Sequence, residues 1–79
     1  MMDSKQLALI YLMEESNHLS SVCTKNVHAI NKKKTNTELE EQLGKLFSAM
    51  KEVVEEFKLD ESTVMSYADK EVERRSKEK

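Results

Sequence analysis

Apolar side chains recur at spacings of three and four in the first part of the chain: Ala8, Leu12, Leu19, Val22 and Ile30, with Glu15 and Asn26 filling gaps in the same stripe. Such spacing lines one face of an α-helix and predicts a long amphipathic helix over about residues 4–31. Asp3 or Ser4 can cap its start by accepting a bond from a free backbone N–H. The apolar run at Leu7–Met13 is wider than one stripe, so Leu9, Ile10 and Met13 are expected to meet a second surface.

Between Asn31 and Asn36 the period stops at Asn-Lys-Lys-Lys-Thr-Asn, which reads as a connector. Thr35 or Thr37 then caps a second helix, expected over about residues 37–58, with Glu38, Glu40 and Glu41 where the helix dipole favours negative charge. Leu39, Leu43, Leu46, Phe47, Met50, Val53, Val54 and Phe57 repeat at three and four and form the clearest core stripe in the chain. Gly44 interrupts that helix at a cost of about 1 kcal/mol relative to alanine, which a close helix approach or a backbone contact would explain. Asp60 is well placed to cap a third helix, expected over about residues 61–76, whose apolar line is thin: Val64, Ala68 and Val72. Two helices of matched length joined by a short connector imply an antiparallel hairpin. The expected fold is therefore one all-α domain over residues 1–79, a hairpin plus a third helix.

Composition narrows the class. The chain has 79 residues, no proline and one glycine, and strand signals are missing. A chain this short buries only about 60 to 65% of the surface its unfolded form exposes. With no disulfide pair or metal-finger spacing to staple it, burying a face against a second copy is the usual remedy. A homo-oligomer, dimer or tetramer, is the expected partner state. The formal net charge of −2 gives no field to draw nucleic acid or an anionic membrane, and no aromatic interleaving supports nucleic-acid binding. Leu7–Met13 is too short to span a bilayer and lacks a secretory cleavage site. A single cysteine, Cys23, suits a reducing compartment, so the expected location is cytoplasmic. Cys23 itself is expected to be a small buried side chain.

Chemistry-bearing candidates are few. Glu15 falls on the apolar stripe, and a carboxylate pointed at a core needs a partner. His18 lies one turn on, so the two either present ligands to one cation or form a polar pair at the edge of the seam. Lys32 to Lys34 read as a solvated loop with phosphate or an acidic partner as the alternative contact, and Lys70, Arg74 and Arg75 as a solvated helix face. His28 is nearly three turns beyond His18 and cannot share a metal with it in one chain.

The order Leu12-Met13-Glu14-Glu15-Ser16-Asn17-His18, then Leu39-Glu40-Glu41-Gln42-Leu43-Gly44-Lys45-Leu46, then Leu59-Asp60-Glu61-Ser62-Thr63-Val64 resembles the MazG-type all-α nucleoside triphosphate pyrophosphohydrolases. The resemblance covers the chain from Leu7 to Arg75. It implies a four-helix bundle core completed by dimerisation, and hydrolysis of nucleotides between the α and β phosphates with magnesium. It also implies a family pattern of Glu-Glu-x-x-Glu in the first helix and Glu-Glu-Leu-Gly-Asp in the second, whose carboxylates converge on the metal. Magnesium requires such hard oxygen ligands. Glu14 and Glu15 match that pattern, whereas His18, Gln42 and Lys45 stand where it has carboxylates.

An ammonium at Lys45 removes a ligand and adds a like charge beside the cation, which costs several kcal/mol at about 4 Å and an effective dielectric near 20. The expectation that follows is a catalytically inactive MazG-like protein that binds a protein partner or a nucleotide-like ligand, with no cofactor. Its seam is metal-free, with Glu15, Gln42 and Lys45 as members. Lys45 alternatively bridges Glu41 one turn away. The competing expectation is an active pyrophosphohydrolase using magnesium or manganese held by Glu14, Glu15, His18, Glu38 and Glu41. Lys70, Arg74 and Arg75 would then face substrate phosphates. A plain helical dimerisation module is the third.

Overall fold

The structure, a computed structural model, describes residues 3–27 and 33–78, and within these the side chains of all but 33–35. The described residues are all-α: α1 Ser4–Val27, α2 Lys33–Glu56 and α3 Glu61–Lys77, with no strand among them. His28, Ile30, Asn31 and Lys32 lie outside the described residues, and so does the end expected for the first helix. None of the described helices is long and apolar enough to cross a membrane.

Local chemistry sets the visible ends. Asp3 Oδ1 accepts from the Gln6 backbone N–H at 2.8 Å while Gln6 Oε1 accepts from the Asp3 N–H at 3.0 Å. This reciprocal capping box satisfies two donors at the start of α1. The second helix begins at Lys33 rather than at residue 37. Thr35 and Thr37 therefore lie inside its first turns and cannot be its N-cap, because lysine is a good helix former and nothing at Lys33 or Lys34 breaks the helix.

At its far end α2 closes in a Schellman motif. Leu59 N–H reaches the Val54 carbonyl at 2.9 Å and Lys58 N–H the Glu55 carbonyl at 3.2 Å. Lys58 takes the left-handed conformation the motif requires, with φ 53°. Asp60 then caps α3, its Oδ1 accepting from Ser62 N–H at 3.2 Å and its Oδ2 from Thr63 Oγ1 at 2.7 Å.

The fold's packing is the α1–α2 hairpin; α3 makes no comparable contact with either helix, and every described residue of α3 is exposed. Along α1 the inner seam is Ala8, Leu12, Glu15, Leu19, Val22 and Asn26, all buried or half-buried, as the stripe of threes and fours predicts. The α2 seam is Leu39, Gln42, Leu46, Ala49, Val53 and Glu56. That differs from the expected core, since Leu43, Phe47 and Met50 are exposed. The reason is geometric. Helical residues advance by about 100°, so α2 carries two stripes on adjacent faces, and α1 covers only the one holding Gln42 and Ala49. Cys23, one step off the α1 seam, is likewise exposed rather than buried.

Ala8 and Ala49 are the buried apolar residues of this core, so the core is thin. The radius of gyration, 15.0 Å, exceeds the roughly 12 Å of a compact domain of this length.

Candidate functional site

Among the described residues, the buried polar cluster that spans the hairpin centres on Glu15. Each partner is there because of its register: Glu15 lies three residues after Leu12 and Gln42 three after Leu39, so both fall on the facing stripes. Gln42 Nε2 donates to Glu15 Oε2 at 2.9 Å and to the Glu15 backbone carbonyl at 3.1 Å. Both residues are 6% exposed. A carboxylate accepts only, so it fixes which end of the Gln42 amide faces it. The resulting charge-assisted bond is stronger than one between neutral groups and offsets the cost of burying the charge. His18 flanks the pair on the solvent side, its Nδ1 3.8 Å from Glu15 Oε1.

Lys45 is exposed, and among the described residues no ion pair joins it to Glu15 or to Glu41. The expected seam of Glu15, Gln42 and Lys45 is thus drawn together at its first two members only, because Lys45 sits off the stripe that Gln42 occupies.

The expected metal set does not gather. Glu14 immediately precedes Glu15, so it projects about 100° away around the helix and lies in a shallow groove with Leu7, Ile10, Tyr11 and Glu52. Glu38 and Glu41 are exposed. Among the described residues no group of three or more His, Cys, Asp and Glu side chains is placed to hold a metal ion. Magnesium takes oxygen ligands, whereas Gln42 presents its NH₂ to the carboxylate that would be shared. The described residues, so arranged, do not fit that ion.

The cations expected near phosphate are engaged along α3 itself. Arg74 forks between Glu71 and Glu78, the latter at 2.6 Å, and Arg75 Nε lies 3.4 Å from Glu71. The hydrogen bond from Arg74 to Glu71 lowers the Glu71 carboxyl below its ordinary value and raises Arg74. Lys70 Nζ stands 5.6 Å over the Tyr67 ring. The three cations therefore belong to a solvated ladder of one-turn pairs and do not converge with Glu15.

Gln42 enters the expected seam through the resemblance alone, since its polarity hides it from a reading of apolar spacing. Its position among Leu39 and Leu46 is the signal that finds it, once spacing is weighed above polarity. Buried Asn26 is a second polar break in the seam: Nδ2 donates to the Val22 carbonyl at 2.6 Å and Oδ1 has no partner among the described residues.

Fold and site together define an all-α helical-hairpin protein with a third, unpacked helix. Comparison of the chain with models of known families, with curated proteins and with solved structures finds no match.

Proposed function

We propose that the chain is a catalytically inert, MazG-like helical module that acts by binding, assembled as a homo-oligomer and presenting itself to a protein partner or a nucleotide-like ligand. The observation that carries this reading is the Gln42 amide held on Glu15 at 2.9 Å. In the family the sequence resembles, the corresponding positions are both carboxylates and meet on a cation. Here an amide–carboxylate bond closes the same gap between helices, and the remaining glutamates diverge. The pair acts in registry: a buried polar contact that is satisfied in only one alignment of two helices disfavours the others.

Calorimetric titration with magnesium and a pyrophosphate-release assay over a panel of nucleoside triphosphates test the reading. The expected result is no stoichiometric magnesium binding and no turnover. Stoichiometric binding that disappears in Glu15→Ala, or turnover that depends on Glu15, would overturn it in favour of an active pyrophosphohydrolase.

A further inference from the structure

The side of the hairpin away from Glu14 carries a continuous apolar layer that no other described residue covers. Leu9 and Met13 follow Lys5 up one side of α1 at successive fours, and Leu43, Phe47, Met50 and Val54 run along α2 to Phe57 at fours and threes. Lys5 Nζ stands 5.7 Å over the Phe57 ring, which places the two rows on one face. Met13 is 64% exposed and Phe47 58%. Where α3 leaves α2, Val64 and Met65 face Phe47, Met50 and Val54 across an open groove, so the third helix adds a wall to the layer without covering it.

We propose that this face, Leu9 and Met13 with Leu43, Phe47, Met50 and Val54, is the surface on which a second copy of the chain docks, hairpin against hairpin. The inference rests on the reading of the chain as an assembled module and adds to it which face is shared. Area selects the occupant. The chain exposes 6842 Å², about 1,900 Å² more than the roughly 4,900 Å² of a compact monomer of its mass. Obligate homodimers bury about 1,000 to 2,500 Å² per subunit, which is the size of this excess. A core whose buried apolar side chains are two alanines needs its cover whenever it is folded, and a second copy is the partner present at every moment of synthesis. The rim of the groove carries both signs, Lys51 with Glu55 and Glu61, so the lysine of one copy can pair with a glutamate of the other. The opposite face, with Tyr11, Glu14, His18 and Glu52, stays outward on both copies.

Sedimentation equilibrium of the full chain over about 1 to 100 μM, with far-ultraviolet circular dichroism on the same samples, tests the proposal. The wild-type chain is expected to be dimeric or a dimer of dimers. Phe47→Glu should weaken association by about 100-fold or more, and Tyr11→Lys, on the opposite face, by less than about threefold. Because a subunit deprived of its partner can unfold, the wild-type chain is also footprinted with peroxide. Met13 and Met50 should oxidise several-fold more slowly in the associated chain than methionine in a free peptide. A folded wild-type monomer would defeat both the assembled-module reading and the docking face. Association that survives Phe47→Glu, or unprotected Met13 and Met50 in an associated chain, would defeat the docking face alone.

Discussion

Gln42 reaches across the hairpin and donates to both the side chain and the backbone carbonyl of Glu15, at 2.9 and 3.1 Å. One amide thus ties two helices at a single register and keeps a buried carboxylate paired. Replacing it by leucine leaves that carboxylate without its hydrogen-bond donor in the seam, with only the exposed His18 ring 3.8 Å away, which costs about 2 to 4 kcal/mol. Removing both groups in Glu15→Leu/Gln42→Leu leaves no orphan and is expected to be near neutral or stabilising. A double-mutant cycle by urea denaturation reads the coupling. A double variant as unstable as Gln42→Leu would mean that the pair contributes through something other than mutual satisfaction.

Restoring a carboxylate at that position, Gln42→Glu, sets two like charges in one buried layer. Stability should fall at neutral pH and recover as the solution is acidified, because protonating one of the two acids removes the repulsion and creates a donor for the other. The sign follows from linkage: an acid whose ionisation is disfavoured in the folded state contributes stability that is lost as pH rises through its folded pKa. Thermal unfolding of wild type and variant at a series of pH values checks this. A variant whose deficit is the same at every pH would contradict it.

How much of this was legible in the sequence depends on what each feature rests on. The α1 seam was readable down to Glu15 and Asn26, because spacing is a property of the helical backbone and does not depend on what packs there. The second helix was harder. Two apolar stripes on adjacent faces look like one broad core, and only the position of α1 decides that Gln42 and Ala49 go inward while Phe47 and Met50 stay out. The Asp60 cap was readable because its bonds are to Ser62 and Thr63, within one turn. Thr35 and Thr37 have the side chains of an N-cap, but the helix-forming lysines before them start α2 at Lys33. At the site, Glu15 stood out by spacing alone, whereas its pairing with Gln42 needed the register of the second helix.

Lys58 adopts φ 53° to complete the Schellman motif that ends α2. A side chain with a Cβ is strained in that conformation and glycine is not. Lys58→Gly should therefore raise stability by about 0.5 to 1 kcal/mol, with Lys58→Val lowering it. The measurement is the midpoint of urea unfolding at fixed protein concentration. No gain from glycine would mean that the left-handed turn is not kept in solution.

Asp60 offers a pH readout confined to the start of α3. The bond from the Thr63 hydroxyl, followed by those from the Ser62 hydroxyl and backbone N–H, holds its carboxyl below its ordinary value. A depressed folded pKa contributes stability above the unfolded pKa that is lost as pH falls through the folded one. The first turn of α3 should accordingly fray as the solution is acidified through the carboxylate range. Asp60→Asn, which still caps but does not titrate there, should remove that dependence. Amide chemical shifts of Ser62, Thr63 and Val64 against pH would follow it, and an unchanged profile in Asp60→Asn would place the titration elsewhere.

Ala49 is fully buried and Ala8 nearly so, and both lie between two cross-links of the hairpin, Ser4 to Glu56 and Glu15 to Gln42. Small residues on facing seams let two helices approach closely. Ala49→Leu introduces volume where no space exists. Either the seam parts, stretching the 2.9 Å contact between Gln42 and Glu15, or the leucine is forced off its rotamers, and overpacking of this kind costs about 1 to 3 kcal/mol. At Gly44 an added Cβ would meet nothing within 4 Å beyond its chain neighbours and the backbone of its own helix, so Gly44→Ala should add about 1 kcal/mol of helix stability. Unfolding midpoints for the two variants should therefore move in opposite directions. If Ala49→Leu were instead stabilising, the close approach of α1 and α2 would be absent in solution, and with it the geometry that lets one amide span the seam.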